Sequence, residues 1–264
     1  MSPSVGVVVP AYDPSPERLR AYLRDVRDVL DPDELRVELD APAPGQPASL
    51  DLPPDVDCAV AGRRRGKGAA VTAGFEALST DVLAFADADG ATPAASLSDA
   101  VSRVTAGDAD LAVGSRRHPH ADVRSHQTFA RRFLGDGFAW VARRLLEAEL
   151  YDYQCGAKAI TADAWVRIRN HLYEPGFAWD IELVAVAAAL DNEVAEVPVT
   201  WEDQPGSTVA PVRDTLDMGR GLLVARHRAR LIRNDRLHRL LDREGAIALV
   251  EQSGEDPDPG SDPR

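Results

Sequence analysis

The sequence predicts a single α/β domain built on a mostly parallel sheet, and three observations carry this expectation. Short apolar runs alternate with segments of helical spacing along the 264 residues, and no internal repeat is present. The apolar runs are continuous rather than alternating, as in strands covered on both faces. One of them, Leu83-Ala84-Phe85-Ala86, leads into Asp87-Ala88-Asp89 and the turn Gly90-Ala91-Thr92-Pro93. An acidic pair therefore lies at a strand's carboxyl end, where open α/β sheets bind ligands.

The elements follow in order. Residues 5–9 are an apolar β-branched run closed by Pro10, a buried parallel strand. Leu19, Tyr22, Leu23, Val26, Val29 and Leu30 give residues 16–30 helical spacing. Residues 35–39 form a second strand, and the Pro- and Gly-rich stretch 41–54 a loop. Residues 58–61 form a third strand, 68–78 a helix, 82–86 the strand before the acidic pair, 96–105 a helix, and 111–113 the start of another strand. A long helix covers 129–150, with Phe133, Leu134, Phe138, Val141 and Leu145 on one side. A strand at 157–160, helices at 162–169 and 179–190, and a last strand at 194–201 complete the alternation. Residues 212–241 read as an Arg-rich amphipathic helix, and 252–264 as a disordered tail of acidic residues, Pro and Gly.

Bulk properties narrow the function. The length allows a full core, and the apolar fraction of 44% is ordinary. The net charge of −13 argues against general nucleic-acid binding. Lysine occurs only at 67 and 158. The acidic, Arg-rich composition fits a protein made for high salt, a GC-rich genome, or both. Two cysteines are too few for a disulfide framework and fit a reducing interior. The first ten residues lack a charged n-region and a long apolar run, so no signal peptide is expected. No window of 18 apolar residues marks a membrane span.

The acidic pair has two readings on its own. Hard divalent cations take oxygen ligands, and Mg²⁺ is commonly held by one or two carboxylates plus substrate phosphates; short acidic groups also cap the helix that follows a strand. The second chemical segment is Gly62-Arg63-Arg64-Arg65-Gly66-Lys67-Gly68. Its glycine spacing is one residue short of a P-loop, and Gly68 replaces the hydroxyl residue that would bind Mg²⁺, which excludes that NTPase motif. A Gly-Lys-Gly turn before a helix still offers N–H groups and a cation to a phosphate, or it is a basic surface turn. His118, His120 and His126 suggest zinc only weakly, since no cysteine or fourth ligand is near. Cys155 reads as a packing residue.

Seven segments occur in a fixed order: Val7-Val8-Val9-Pro10-Ala11-Tyr12, Arg65-Gly66-Lys67-Gly68, Asp87-Ala88-Asp89-Gly90-Ala91-Thr92, Val113-Gly114-Ser115-Arg116, Asp152-Tyr153-Gln154-Cys155-Gly156-Ala157-Lys158, Trp179-Asp180-Ile181-Glu182-Leu183 and Glu196-Val197-Pro198-Val199-Thr200-Trp201. Together they resemble family 2 glycosyltransferases, most closely the dolichyl-phosphate β-glucosyltransferase branch, over about residues 5–230. The resemblance implies a GT-A fold, a nucleotide-sugar donor of the UDP-glucose or GDP-mannose type, Mg²⁺ or Mn²⁺, and transfer of a hexose with inversion to a dolichyl or other polyprenyl phosphate. It implies that Asp87 and Asp89 hold the metal, and that Pro10, Tyr12, Asp40, Lys67, Asp87, Gln154 and Glu182 bind donor. It also implies that Arg116 and Arg131, or its neighbour Arg132, hold the acceptor phosphate, and that Asp180 acts in catalysis. Asp152 is a further candidate for sugar hydroxyls, and Trp201 stacks on a sugar or isoprenoid or belongs to the core.

The chain departs from the family pattern in places. Related mannosyl enzymes carry Gln where Ala91 stands. The Asp-Asp-Gly-Ser usual after the second strand is here Asp40-Ala41-Pro42, so Asp40 alone stands in. Tyr12 is followed by Asp13-Pro14 rather than Asn-Glu, and Gly206-Ser207-Thr208 lacks an expected lysine. These readings divide the chain into a catalytic domain at 1–211, a basic amphipathic helical extension at 212–250 and a disordered acidic tail at 251–264. The lipid acceptor implies a cytoplasmic protein, peripheral on the inner face of the membrane, with the arginines and leucines of the extension in the lipid interface.

Overall fold

The computed structural model describes residues 2–124, 129–202, 211–235, 238 and 247–252, with the backbone alone over 129–136 and 211–217. His126, Gly206-Ser207-Thr208 and the tail from 253 lie outside the described residues, as do the side chains of Arg131 and Arg132.

The chain runs β1 (Val5–Tyr12), α1 (Pro16–Leu30), β2 (Glu34–Asp40), α2 (Gln46–Ser49), β3 (Asp57–Ala61), α3 (Lys67–Ala77), β4 (Val82–Ala86), α4 (Ala94–Thr105), β5 (Leu111–Ser115), β6 (Asp122–Arg124), α5 (Phe129–Leu145), β7 (Ala157–Thr161), α6 (Ala162–Ile168), α7 (Trp179–Ala189), β8 (Val194–Pro198), β9 (Thr200–Glu202), α8 (Pro211–Ile232) and α9 (Leu249–Gln252). Seven strands form one sheet in the order β3-β2-β1-β4-β7-β5-β8. β7 alone is antiparallel, to β4 and to β5; the remaining neighbours are parallel.

Both faces are covered, which explains the continuous apolar strands. Val8, Phe85, Val113 and Ile160 pack under α3, α5, α6, α7 and α8. Val7, Val9, Ala84 and Ala159 pack under α1 and α4. Apart from Asp180 and Glu182 in its first turn, α7 is apolar, and it is buried along its length except at Ala188.

This topology builds one functional edge. The parallel strands deliver Tyr12, Asp40, Asp87 and Arg116 at or just beyond their carboxyl ends, and β7 enters the sheet there, with Ala157 opposite Ala86. The turn 152–156 therefore lies beside the acidic pair. Several local features differ from expectation. The helix expected over 212–241 ends at Ile232, and α9 reaches Gln252, inside the span expected as tail. The loop 41–54 contains the short helix α2. The long helix ends at Leu145. The run 194–201 is two strands: after Val199, whose N–H donates to Ser115 O (3.1 Å), the chain leaves the main sheet and pairs with β6 in a two-stranded ribbon.

Candidate active site

Asp87 follows β4 and is fixed by its backbone, whose N–H donates to Gly156 O at 3.0 Å. A Cβ on Gly156 would collide with the Asp87 carboxylate, so glycine is the residue that leaves room for it. Asp89 does cap its own turn, accepting the Ala91 N–H on Oδ1 at 2.9 Å, while Oδ2 takes no hydrogen bond among the described residues. Desolvation and the neighbouring Asp87 charge hold the Asp89 carboxyl above its usual range. The turn rests on Tyr22 of α1, whose hydroxyl donates to Thr92 O at 3.0 Å. Burial, then the charges of Asp87 and Asp89, push the Tyr22 phenol up, so it remains a donor.

A buried chain of charges runs inward from Asp87. Lys67 Nζ is 2.9 Å from Asp87 Oδ1 and 2.8 Å from Asp180 Oδ2. Lys158 Nζ is 2.5 Å from Asp180 Oδ1 and donates to Cys155 O at 2.8 Å. Burial draws the Lys67 pKa down, but Asp180 and Asp87 outweigh it and hold the ammonium above the ordinary lysine range. Burial likewise opposes ionisation of Asp180, and Lys158 and Lys67 reverse this, holding the carboxyl below its usual range. Asp180 is thus a fixed anion between two ammonium groups, with a side chain only 2% exposed.

The glycines around Lys67 serve a close approach. A Cβ at Gly66 or Gly68 would strike the backbone at Pro175 or Glu174. The turn's N–H groups are also engaged inside the protein: those of Arg65 and Gly66 donate to Asp40 Oδ2 at 2.8 and 2.9 Å, and that of Ala69 to Pro175 O at 3.1 Å. Asp40, 3% exposed, accepts Arg65 Nε on its other oxygen at 2.8 Å. Glu38 takes Arg65 Nη2 at 2.8 Å. In this arrangement Asp40 shapes the Arg65-Gly66-Lys67 turn.

Arg116 follows β5 and is forked onto Asp152, with Nε to Oδ2 at 2.7 Å and Nη2 to Oδ1 at 3.0 Å. Nη1 takes no partner among the described residues. Burial raises the Asp152 pKa, but the Arg116 charge and the N–H groups of Gln154 and Arg116 bring the carboxyl well below its usual range. Asp152 therefore orients Arg116 and does not meet a sugar hydroxyl directly. Tyr12 is 51% exposed at the rim, with the Arg64 guanidinium 4.0 Å from its ring centroid. Pro10, within β1, and Gln154, in the 152–156 turn, are partly buried.

Glu182 lies on α7 and is 1% exposed. Its Oε2 accepts the N–H groups of Tyr173 (2.9 Å) and Glu174 (2.8 Å), and its Oε1 is paired with Arg228 of α8. Both carboxylate oxygens have protein partners, which differs from a donor-binding placement. Trp201 is partly buried against the core. Cys155 is fully buried, its thiol pushed up to about 11 by burial. Among the described residues, no group of three or more His, Cys, Asp or Glu side chains forms a metal cage. Asp87 and Asp89 nonetheless fit a hard divalent cation that shares its shell with a diphosphate, since both offer carboxylate oxygen at an open strand end.

Tyr22 and Glu38 belong to the site but lie in none of the ordered segments, and Arg65 and Lys158 lie in two of them without a role assigned there. Lys158 had one visible signal, as one of two lysines in a chain that otherwise uses arginine.

The fold and site define a GT-A sugar-nucleotide transferase architecture. The model of glycosyl transferase family 2 matches residues 6–146, and the chain belongs to this family. It is 35% identical over 160 residues to glycosyltransferase AglD of Haloferax volcanii, covering 61% of this chain and 25% of that protein. It is 34% identical over 175 residues to mouse dolichyl-phosphate beta-glucosyltransferase, covering 63% of this chain and 53% of that protein. The chain thus spans from a quarter to about half the length of these relatives. Among solved structures it is similar in fold to mannosyl-3-phosphoglycerate synthase from Rubrobacter xylanophilus (TM-score 0.65, 15% identity, 92% of this chain and 77% of that one). A second is glucosyl-3-phosphoglycerate synthase from Mycobacterium tuberculosis in complex with Mn²⁺, UDP-glucose and phosphoglyceric acid (TM-score 0.61, 16% identity, 85% and 80%).

Proposed function

We propose that the chain transfers a hexose, glucose in the first instance, from a nucleotide diphosphate sugar to dolichyl or another polyprenyl phosphate with inversion. The observation that carries this reading is the convergence of Asp87, Lys67 and Arg116 at one sheet edge: Lys67 Nζ is 2.9 Å from Asp87, and Asp87 and Arg116 are both tied to the 152–156 turn, through Gly156 and Asp152. The 30–35% identity to dolichyl-phosphate beta-glucosyltransferases and AglD supports the substrate class.

Asp87 and Asp89 are the residues to hold Mg²⁺ or Mn²⁺, which when bound would neutralise charge on the departing nucleoside diphosphate. Lys67 supplies a second, fixed positive charge beside Asp87. Tyr12, with Arg64 on its ring, forms the rim on the donor's side, and Asp40 keeps the Arg65-Gly66-Lys67 turn in shape. The acceptor is a phosphate monoester, anionic at neutral pH, so it needs orientation more than a strong base. Arg116 presents Nη1 to it while Asp152 holds the rest of the fork, and Arg131 or Arg132 adds a further cation. Gln154 is the remaining side chain on the 152–156 turn to meet a sugar hydroxyl.

For membrane attachment, we infer a peripheral position on the cytoplasmic face through α8. No helix among the described residues is long and apolar enough to cross a membrane. Leu222, Ala225 and Ala229 are buried against the domain, while Arg220 and Leu223 face outward. The 211/212 boundary therefore divides the chain by role rather than by packing.

The test is transfer of label from UDP-glucose or GDP-mannose to polyprenyl phosphate with Mg²⁺ or Mn²⁺ in high salt. Lipid-linked label from UDP-glucose that Asp89→Ala abolishes is the expected result. Label from GDP-mannose alone would change the sugar, and donor binding without turnover would make the protein a binder. Flotation with anionic liposomes checks attachment: recovery unchanged by removing residues 212–264 would refute the α8 assignment.

A further inference from the structure

We propose that Lys67 is a built-in counter-cation for Asp87, so that the site takes a divalent cation together with a nucleoside diphosphate rather than the cation first. The inference rests on Asp87 and Asp89 being the cation's ligands. Lys67 Nζ lies 2.9 Å from Asp87 Oδ1, on the carboxylate itself. Its side chain is 8% exposed, with the ammonium 5.0 Å from the Phe85 ring centroid, so it does not swing out to solvent. Gly66 and Gly68 press the turn against residues 174–176, fixing the stem as well. A divalent cation bound to Asp87 therefore meets a buried positive charge that water screens poorly.

The second half of the argument is Asp180. It holds Lys67 at 2.8 Å through one oxygen, while Lys158 holds the other at 2.5 Å. Lys67 can give up Asp87 without losing its only partner, and Asp180 stays neutralised from behind. A diphosphate brings negative charge that the divalent cation and Lys67 share, which turns their repulsion into joint attraction. Cation and diphosphate then tighten each other's binding by the same factor. Lys67 thereby makes the cation's affinity conditional on the donor.

The test measures binding rather than turnover. Free Mn²⁺ is followed by electron paramagnetic resonance in titrations of the full chain, with and without UDP. For the wild type, UDP is expected to tighten Mn²⁺ at least about thirtyfold. Lys67→Met is expected to bind Mn²⁺ alone about tenfold more tightly than wild type, with the UDP coupling reduced by a similar factor. Lys67→Arg keeps the charge and should restore the coupling. Asp180→Asn, which leaves Lys67 on Asp87 alone, should weaken Mn²⁺ binding. Lys67→Gln serves in place of Lys67→Met if the latter does not fold by circular dichroism. Mn²⁺ affinity that is unchanged or weaker in the folded Lys67 variant, with UDP coupling intact, overturns the proposal while leaving the cation site in place. If Asp89→Asn does not reduce Mn²⁺ binding in the presence of UDP, the ligand assignment fails and the proposal falls with it.

Discussion

A methyl group at position 156 would occupy the space of the Asp87 carboxylate, because the Asp87 N–H is already committed to Gly156 O. Gly156→Ala should therefore displace the carboxylate while leaving the fold intact. A misplacement of about 1 Å at a reacting centre can cost about a hundredfold, and a loss of that size in kcat/KM, with a nearly unchanged melting temperature, is the expected outcome. The buried ion pairs give a second prediction. Arg116 holds the Asp152 carboxyl, and Lys158 and Lys67 hold that of Asp180, below the usual carboxylate range in the folded protein. The unfolded chain therefore binds more protons at acid pH, so their contribution is fully present above about pH 4 and is lost as pH falls below it. Urea midpoints should fall as pH drops from about 4 toward 2, and Asp152→Asn should flatten that drop while lowering stability at neutral pH. Asp87 and Asp89 were legible in the sequence because a strand end and a turn frame them. Asp40, Asp152 and Glu182 were legible as polar residues in family order but not as holders of Arg65, Arg116 and Arg228. Pairing across 25, 36 and 46 residues leaves no local pattern.

At the scale of elements, α8 is joined to the site edge through Glu182. Arg228 of α8 pairs with Glu182 of α7, which holds the N–H groups of Tyr173 and Glu174. That loop packs on the glycines flanking Lys67. Arg228→Leu strands a carboxylate that is 1% exposed, and breaking such a pair costs about 3–5 kcal/mol. The expected result is that loss in denaturant melts together with faster amide exchange at Tyr173 and Glu174. Intact protection at both amides would show that the loop is held by other contacts. The basic pattern of α8 showed an amphipathic helix but not which arginines are committed. Arg228 goes to Glu182, and Arg233, just past the end of α8, to Glu147 and Asp191. Strand positions were legible for the same reason that β7's direction was not: a run such as Ala157–Thr161, buried on both faces, looks alike read either way. The continuous pattern through 194–201 likewise hid the switch at Val199, which depends on a partner, β6, distant in sequence.

For the whole molecule, the −13 charge and the buried ion pairs respond differently to salt. The net charge acts between exposed carboxylates, where the Debye length shrinks from about 10 Å at 0.1 M to about 3 Å at 1 M. Exposed pairs such as Arg103–Asp108 are weakened over the same range, but each is worth only about 0–1 kcal/mol. Lys67–Asp180, Lys158–Asp180 and Arg116–Asp152 each carry a side chain no more than 3% exposed, and so are screened far less. Relief of self-repulsion should therefore exceed the loss of surface pairs, and salt should stabilise the fold. A gain of one to two kcal/mol corresponds to a rise on the order of 5 °C in Tm for a chain of this size. The measurement is Tm in KCl from 0.1 to 2 M. Screening predicts most of the rise below about 1 M, where the Debye length is already near contact distance. A linear rise across the whole range would indicate general exclusion of salt from the surface instead. A Tm that falls with KCl would mean that surface ion pairs outweigh the repulsion, contradicting the reading of the acidic surface as suited to high salt.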